Sequence, residues 1–159
     1  MPRPRGTSRP LTVIAIGRLP AGPLRDLQAL YAGRITPPVA IVELEEKRKL
    51  PEAVLKAREA ELILAAVPPG ARLVALDGRG EAWSSREFAG HLARWRDAGE
   101  AVAFAIGGAG GLGPAALARA DTVLSLGAMT WPHLLARSLL LEQIYRAQQI
   151  LAGHPYHRA

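Results

Sequence analysis

Three segments of this chain concentrate residues able to do chemistry. The first is Ile106-Gly107-Gly108-Ala109-Gly110-Gly111-Leu112-Gly113-Pro114. The second is Leu126-Gly127-Ala128-Met129-Thr130-Trp131-Pro132-His133, and the third is the C-terminal Gly153-His154-Pro155-Tyr156-His157-Arg158-Ala159. Glycine has no side chain, so a ligand can lie directly against backbone N–H and C=O groups. A neutral nucleoside such as adenosine needs contacts of that kind and few charged side chains. The tail gathers two of the four histidines, one of the three tyrosines and an arginine. Arginine for phosphate or another anion, tyrosine for stacking and histidine for hydrogen bonding suit an RNA or a reacting base.

Other readings of these segments fit less well. Gly108-x-Gly110-x-x-Gly113 satisfies the dinucleotide-binding spacing. That fingerprint belongs after the first strand of its unit, with an acidic residue about twenty positions on. Here an earlier series of apolar runs precedes it, and the next apolar run ends in Leu126-Gly127. The bland reading is a flexible glycine turn. No glycine is followed by lysine and then serine or threonine, so there is no P-loop. His154 and His157 have neither cysteine partners nor a carboxylate beside them, and no metal site is expected.

These segments need a scaffold, and the composition supplies one. The 159 residues are 49% hydrophobic and 21% charged, enough for one core rather than two. The formal net charge of +6 favours acidic partners such as nucleic acid or an anionic membrane surface. Arg3, Arg5 and Arg9 supply part of it from residues 1–10, where three prolines also stand; this basic extension is expected to be disordered. The absence of cysteine excludes disulfides, thiolate catalysis and zinc-ribbon chemistry. The apolar run from Leu11 to Ile16 is too short for a signal peptide and is followed by Arg18. No segment is long enough to span a membrane, and the cytoplasm is the expected location.

Beyond residue 10 strand-like and helix-like segments alternate. Apolar runs at Leu11–Gly17, Val39–Leu44, Arg72–Gly78, Ala101–Gly108 and Thr122–Gly127 predict strands. Between them the spacing predicts helices opening at Pro23 and Pro51, a helix capped by Ser84 or Ser85 with Glu87 reaching back, and a short helix over Pro114–Arg119. The last helix runs from near His133 to near Leu151, and its apolar residues wrap much of the circumference, which suggests burial against the sheet and a second surface such as a partner subunit. Alternation of this kind predicts an α/β fold with a mostly parallel sheet of five to six strands and helices on both faces. Ligands of such sheets bind beyond the carboxyl ends of strands, where the first two segments fall.

The three segments, in this order, resemble one family, the RlmH (YbeA-type) ribosomal RNA methyltransferases of the SPOUT superfamily. The residues carrying the resemblance are Leu76-Asp77 with Gly80 and Trp83, Ile106-Gly107-Gly108 with Gly111, Leu126 with Thr130, Pro132-His133, Tyr145-Arg146-Ala147, and His154-Pro155-Tyr156-His157-Arg158. It spans residues 11 to 158 and implies a single SPOUT domain over residues 11–159 with a C-terminal deep trefoil knot. It also implies a homodimer with S-adenosylmethionine held in the knot, and transfer of its methyl group to N3 of a pseudouridine in an intersubunit stem-loop of 23S ribosomal RNA, on the assembled ribosome. Leu76, Gly107, Gly108 and the stretch Leu126, Gly127, Ala128, Met129, Thr130 and Trp131 fall at the family's cofactor positions. Arg158, Tyr156, His157 and His154 are then the candidate catalytic residues, with the tail of the second subunit completing each site. The competing readings are a SPOUT methyltransferase for another ribosomal or transfer RNA base, and a non-catalytic ribosome-binding protein with a degenerate cofactor pocket.

Overall fold

A computed structural model describes residues 9–158. Most of the basic extension, residues 1–8, lies outside the described residues, and so does Ala159. Five strands, β1 (Thr12–Ile16), β2 (Ala40–Leu44), β3 (Arg72–Ala82), β4 (Val102–Ile106) and β5 (Thr122–Ser125), form one sheet in the order β2-β1-β4-β3-β5. Every pairing is parallel. The helices are α1 (Pro23–Ala32), α2 (Glu52–Ala66), α3 (Ser85–Asp97), α4 (Pro114–Arg119) and α5 (His133–Leu151).

Strand side chains alternate between two cores because successive residues point to opposite faces. Val13, Ala15, Val74, Val102 and Phe104 pack with Phe88, Leu92 and Trp95 of α3 and Leu140, Leu141 and Ile144 of α5. Ile14, Ile16, Leu73, Ala75, Ala103 and Ala105 pack with Ala60 and Ile63 of α2 and Ala116 of α4. All of β4 is buried, which is why its sequence is an unbroken apolar run rather than an alternating one. Ser84 caps α3 through a full capping box: its hydroxyl accepts from the Glu87 N–H, and the Glu87 carboxylate accepts from the Ser84 N–H.

Two features depart from the sequence reading. The third strand was expected to end at Gly78, yet it continues to Ala82. Its register against β5 shifts, with Leu76 and Glu81 both opposite Leu124, so residues 77–80 bulge out of the ladder before the strand resumes. A Cβ at Gly80 would stand 2.5 Å from the Val123 carbonyl, so the bulge closes only with glycine there. The broad apolar surface of α5 has an explanation within the chain: α5 lies on the sheet between α1 and α3 and packs against both.

The sequence reading also passed over Arg137, which is fully buried on α5. Its guanidinium donates to the Glu43 carboxylate of β2 at 2.7 Å and to the carbonyls of Ile16 and Gly17 at 2.9 and 2.6 Å. Glu43 also accepts from the Leu19 N–H at 2.8 Å. Burial works against the Glu43 charge, but the Leu19 N–H and the guanidinium outweigh it and hold the carboxyl below its ordinary value. One side chain thus ties the start of α5 to the ends of β1 and β2. Replacement by methionine keeps the bulk and leaves two carbonyls and a carboxylate without their donor. Arg137→Met is expected to cost about 3 kcal/mol in urea unfolding; a loss under about 1 kcal/mol would show that the tie carries little.

Candidate active site

The bulge of β3 and the carboxyl ends of β4 and β5 open on a common cavity of about 750 Å³, a volume suited to a nucleoside-sized ligand. Its wall comes from three stretches: Leu76 to Gly78, Ile106 to Gly111, and Leu126 to His133. Leu76, Gly107, Gly108, Leu126, Gly127, Ala128, Met129, Thr130 and Trp131 all line it. The nine residues singled out from the sequence as cofactor-binding are therefore brought together.

Gly78, Gly107, Gly108, Gly110, Gly111 and Gly127 leave part of this wall as bare main chain. A Cβ at Gly107 would lie 2.5 Å from the carbonyl carbon of Gly111, so the loop folds back on itself with no room for a side chain. Gly108 and Gly111 pair as an isolated antiparallel bridge, with the Gly111 N–H donating to the Gly108 carbonyl at 3.0 Å. Across the cavity the Ser125 hydroxyl fixes the turn after β5, donating to the Gly127 carbonyl at 2.9 Å and accepting from the Gly127 N–H at 3.2 Å. Met129 and Trp131 are exposed at the rim, at 77% and 42% of their full accessible surface. Two large apolar side chains held in water beside a cavity are unusual unless something covers them.

Two lining residues ionise. Asp77 accepts from the Arg79 side chain at 2.9 and 3.0 Å and from its N–H, and these bonds hold its carboxyl below the ordinary value. His133, at the first position of α5, stands with Arg137 against Gly17. Burial, and then the neighbouring guanidinium, push its imidazole below the ordinary value near 6.5.

The tail does not enter this cavity within its own chain. Tyr156 instead lines a neighbouring cavity of about 590 Å³ that shares Leu124, Leu126, Gly127 and Trp131 with the first. The Tyr156 hydroxyl donates to Glu142 at 3.1 Å, and its ring packs edge-on against Tyr145. Arg146 pairs with Glu142, lies over the Tyr156 ring at 5.0 Å and reaches the His157 Nδ1 at 3.3 Å. The His154 Nδ1 accepts from the Tyr156 N–H at 3.1 Å, which folds the tail into a turn. His154 and Arg158 are exposed. Burial, and next the Glu142 carboxylate, raise the Tyr156 hydroxyl above its ordinary value, so it stays protonated. Glu142 and Arg146 are the anchoring pair that sequence reasoning left unassigned as a site; their i, i+4 spacing was the available signal.

The pH dependence of folding follows from His133. Its folded value is depressed, so on acidification the unfolded chain takes up the proton first. The stability it permits is complete above about pH 6.5 and is lost as pH falls below that, until the folded imidazole also protonates. Urea midpoints at about pH 7.5 and about pH 5.5 check this: His133→Gln should lose less between them than the unaltered chain. An identical loss would place the acid sensitivity elsewhere.

Comparison with known proteins agrees with this geometry. A family model described as predicted SPOUT methyltransferase matches residues 10–157. A Rhodospirillum rubrum protein named ribosomal RNA large subunit methyltransferase H is 57% identical over 150 residues, covering 94% of this chain and 99% of that one. A protein of the same name from Paramagnetospirillum magneticum is 54% identical over 149 residues, covering 93% and 98%. Among solved structures, a probable methylase family protein from Haemophilus influenzae shares the fold with a TM-score of 0.59 at 14% identity, over 96% of this chain and 72% of that one. A five-stranded parallel sheet, a glycine-walled cavity beyond its strand ends and a family match along nearly the whole length lead to one assignment: the chain belongs to the SPOUT methyltransferase family.

Proposed function

We propose that this chain is a 23S ribosomal RNA methyltransferase that uses S-adenosylmethionine to methylate N3 of a pseudouridine. The observation that carries the reading is the convergence of Leu76, Gly107, Gly108 and Leu126 to Trp131 on one cavity. The names of the relatives from Rhodospirillum and Paramagnetospirillum support the substrate class. A putative methyltransferase from Legionella pneumophila, solved with this cofactor bound, shares the fold with a TM-score of 0.50 at 14% identity, over 87% of this chain and 67% of that one.

The cavity fits the cofactor by its donor set. An adenine ring and a ribose are recognised by backbone N–H and C=O groups, and the glycine loop after β4 presents main chain almost free of side chains. When bound, S-adenosylmethionine supplies an electrophilic methyl group on a sulfonium and leaves as the neutral thioether. The rest falls to the chain. N3 of the pseudouridine carries an imide proton that must leave so that the nitrogen lone pair can form the new bond to carbon. His154 or His157 accepts that proton on an imidazole nitrogen, the general base of this step. Arg158 stabilises the negative charge on the base oxygens. Tyr156, kept protonated by burial and Glu142, hydrogen-bonds or stacks on the base.

Since the tail stays outside its own chain's cavity, we assign it to the cavity of a second subunit. The protein then works as a homodimer, each tail completing the other site, with residues 11–159 as one domain threaded by the family's trefoil knot. Residues 11–158 carry the family resemblance as one domain, and the folded surface of the assembled ribosome provides the remaining recognition. Among the described residues no helix is long and apolar enough to cross a membrane. A cytoplasmic enzyme meeting finished ribosomes is the consistent setting.

Methyl transfer from labelled S-adenosylmethionine tests the assignment. Arg158→Ala and Tyr156→Ala should each lower turnover at least about a hundredfold with cofactor affinity unchanged; undiminished turnover would remove them from the mechanism. Assembled ribosomes should be good substrates and the isolated RNA hairpin a poor one, and equal turnover on both would contradict ribosome recognition. Crossed sites add a third check. Neither Arg158→Ala nor an Ala128→Trp chain, in which bulk enters the cavity from an exposed lining position, should act alone, whereas their mixture should recover activity; no recovery would place tail and cavity in one subunit.

A further inference from the structure

Glu59 is the one buried carboxylate among the described residues, at 9% of its full accessible surface. It sits on α2, and no hydrogen bond or ion pair engages it. Burial holds its carboxyl above the ordinary value, only partly opposed by Lys56 one turn earlier. The residue is largely covered, its carboxylate oxygens keep some contact with solvent, and its neighbours Ala60 and Ile63 are core residues.

A Cβ placed on Gly108 would meet the Glu59 Oε2 at 3.1 Å and the Ile16 side chain at 3.1 Å. The carboxylate therefore rests against the back of the glycine loop whose front lines the cavity. The same face of α2 supports the rest of that loop: Gly110 lies near Glu52 and Lys56, and a Cβ at Gly113 would meet the Lys56 carbonyl at 2.6 Å. α2 thus fixes the loop and Glu59 together.

The cavity also lacks free negative charge. Of its two ionising residues, Asp77 is engaged by Arg79, and His133 is neutral at most beside Arg137. The proposed cofactor carries a sulfonium and an ammonium against a single carboxylate, so its net charge is positive. Its product, the thioether S-adenosylhomocysteine, has lost the sulfonium charge and is otherwise nearly the same shape.

We propose that Glu59 is a positioning residue that supplies a countercharge to the cationic cofactor, acting through a glycine with no side chain to hold the two apart. The inference rests on the S-adenosylmethionine reading given above. It adds a specificity: Glu59 favours the methylated, cationic ligand over the spent, neutral one. Charge interactions weaken only gradually with distance, so direct contact is not needed.

Calorimetric titration of the full chain with S-adenosylmethionine and, separately, with S-adenosylhomocysteine tests this. Glu59→Gln should weaken the sulfonium ligand about tenfold while leaving the thioether within about twofold, the scale of one charge contact at a partly buried site. A merely structural role would move both ligands together, and equal loss of both, or loss of neither, overturns the proposal. Glu59→Asp keeps the charge and withdraws it by one methylene. It should show a smaller loss in the same sense, and it serves alone if the glutamine variant does not fold; equal weakening of both ligands in it is again contradictory. An unaltered chain that binds neither ligand overturns the cofactor reading itself, a failure distinct from unchanged discrimination in a chain that binds both.

Discussion

Main chain packed directly on main chain is the constraint from which the rest of this structure follows. Side chains at Gly80, Gly107 or Gly113 would stand within 2.5 to 2.6 Å of the backbone of another segment. Those contacts bring the bulge of β3 onto β5, fold the loop after β4 back on itself, and seat that loop on α2. Each is a place where one methyl group would force two segments apart. Together they draw the β3 bulge and the ends of β4 and β5 close enough to enclose one cavity, and they leave the part of its wall after β4 as bare N–H and C=O groups. Bare main chain recognises a ligand by shape and hydrogen bonding.

A few charged side chains around the cavity each have a separate effect. Arg137 draws the start of α5 onto the ends of β1 and β2 and, second to burial, lowers the His133 imidazole below its ordinary value. Glu59 stands unpaired behind Gly108. Glu142 and Arg146 anchor the tail through Tyr156 and His157. The first two belong to the cavity's own chain. The third holds the tail beside a second cavity that shares the Leu124 to Gly127 strand end and Trp131 with the first. The exposed Met129 and Trp131 stand at that common boundary, and a substrate or a second subunit would have to cover them.

Much of the architecture was legible because burial writes directly into hydrophobic pattern. The apolar run at 101–108 announces a strand covered on both faces, and the Ser84 and Glu87 spacing announces a helix start. The meeting of two glycine-bearing loops at one cavity was legible for a similar reason, since glycine clusters after strand-like runs mark where backbone must be accessible. What escaped depends on contacts between distant parts of the chain. The extension of β3 to Ala82 has no apolar signature, because Gly78, Arg79 and Gly80 form the bulge and pairing with β5 resumes only afterwards. Arg137 and Glu59 went unremarked in the sequence, because only the approach of β1 and of the glycine loop gives them their surroundings. The tail was read as completing the site of a second subunit; within its own chain Tyr156 lines the neighbouring cavity.

The account stands or falls on whether the glycine-walled cavity is where S-adenosylmethionine binds. Amide-resolved NMR titration of the isotope-labelled protein with the cofactor answers that residue by residue. The largest shifts are expected at Gly107, Gly108 and Leu126 to Trp131, with the strands under α3 unmoved. Shifts concentrated around Tyr156 and Arg146, or on the surface away from both cavities, would contradict it.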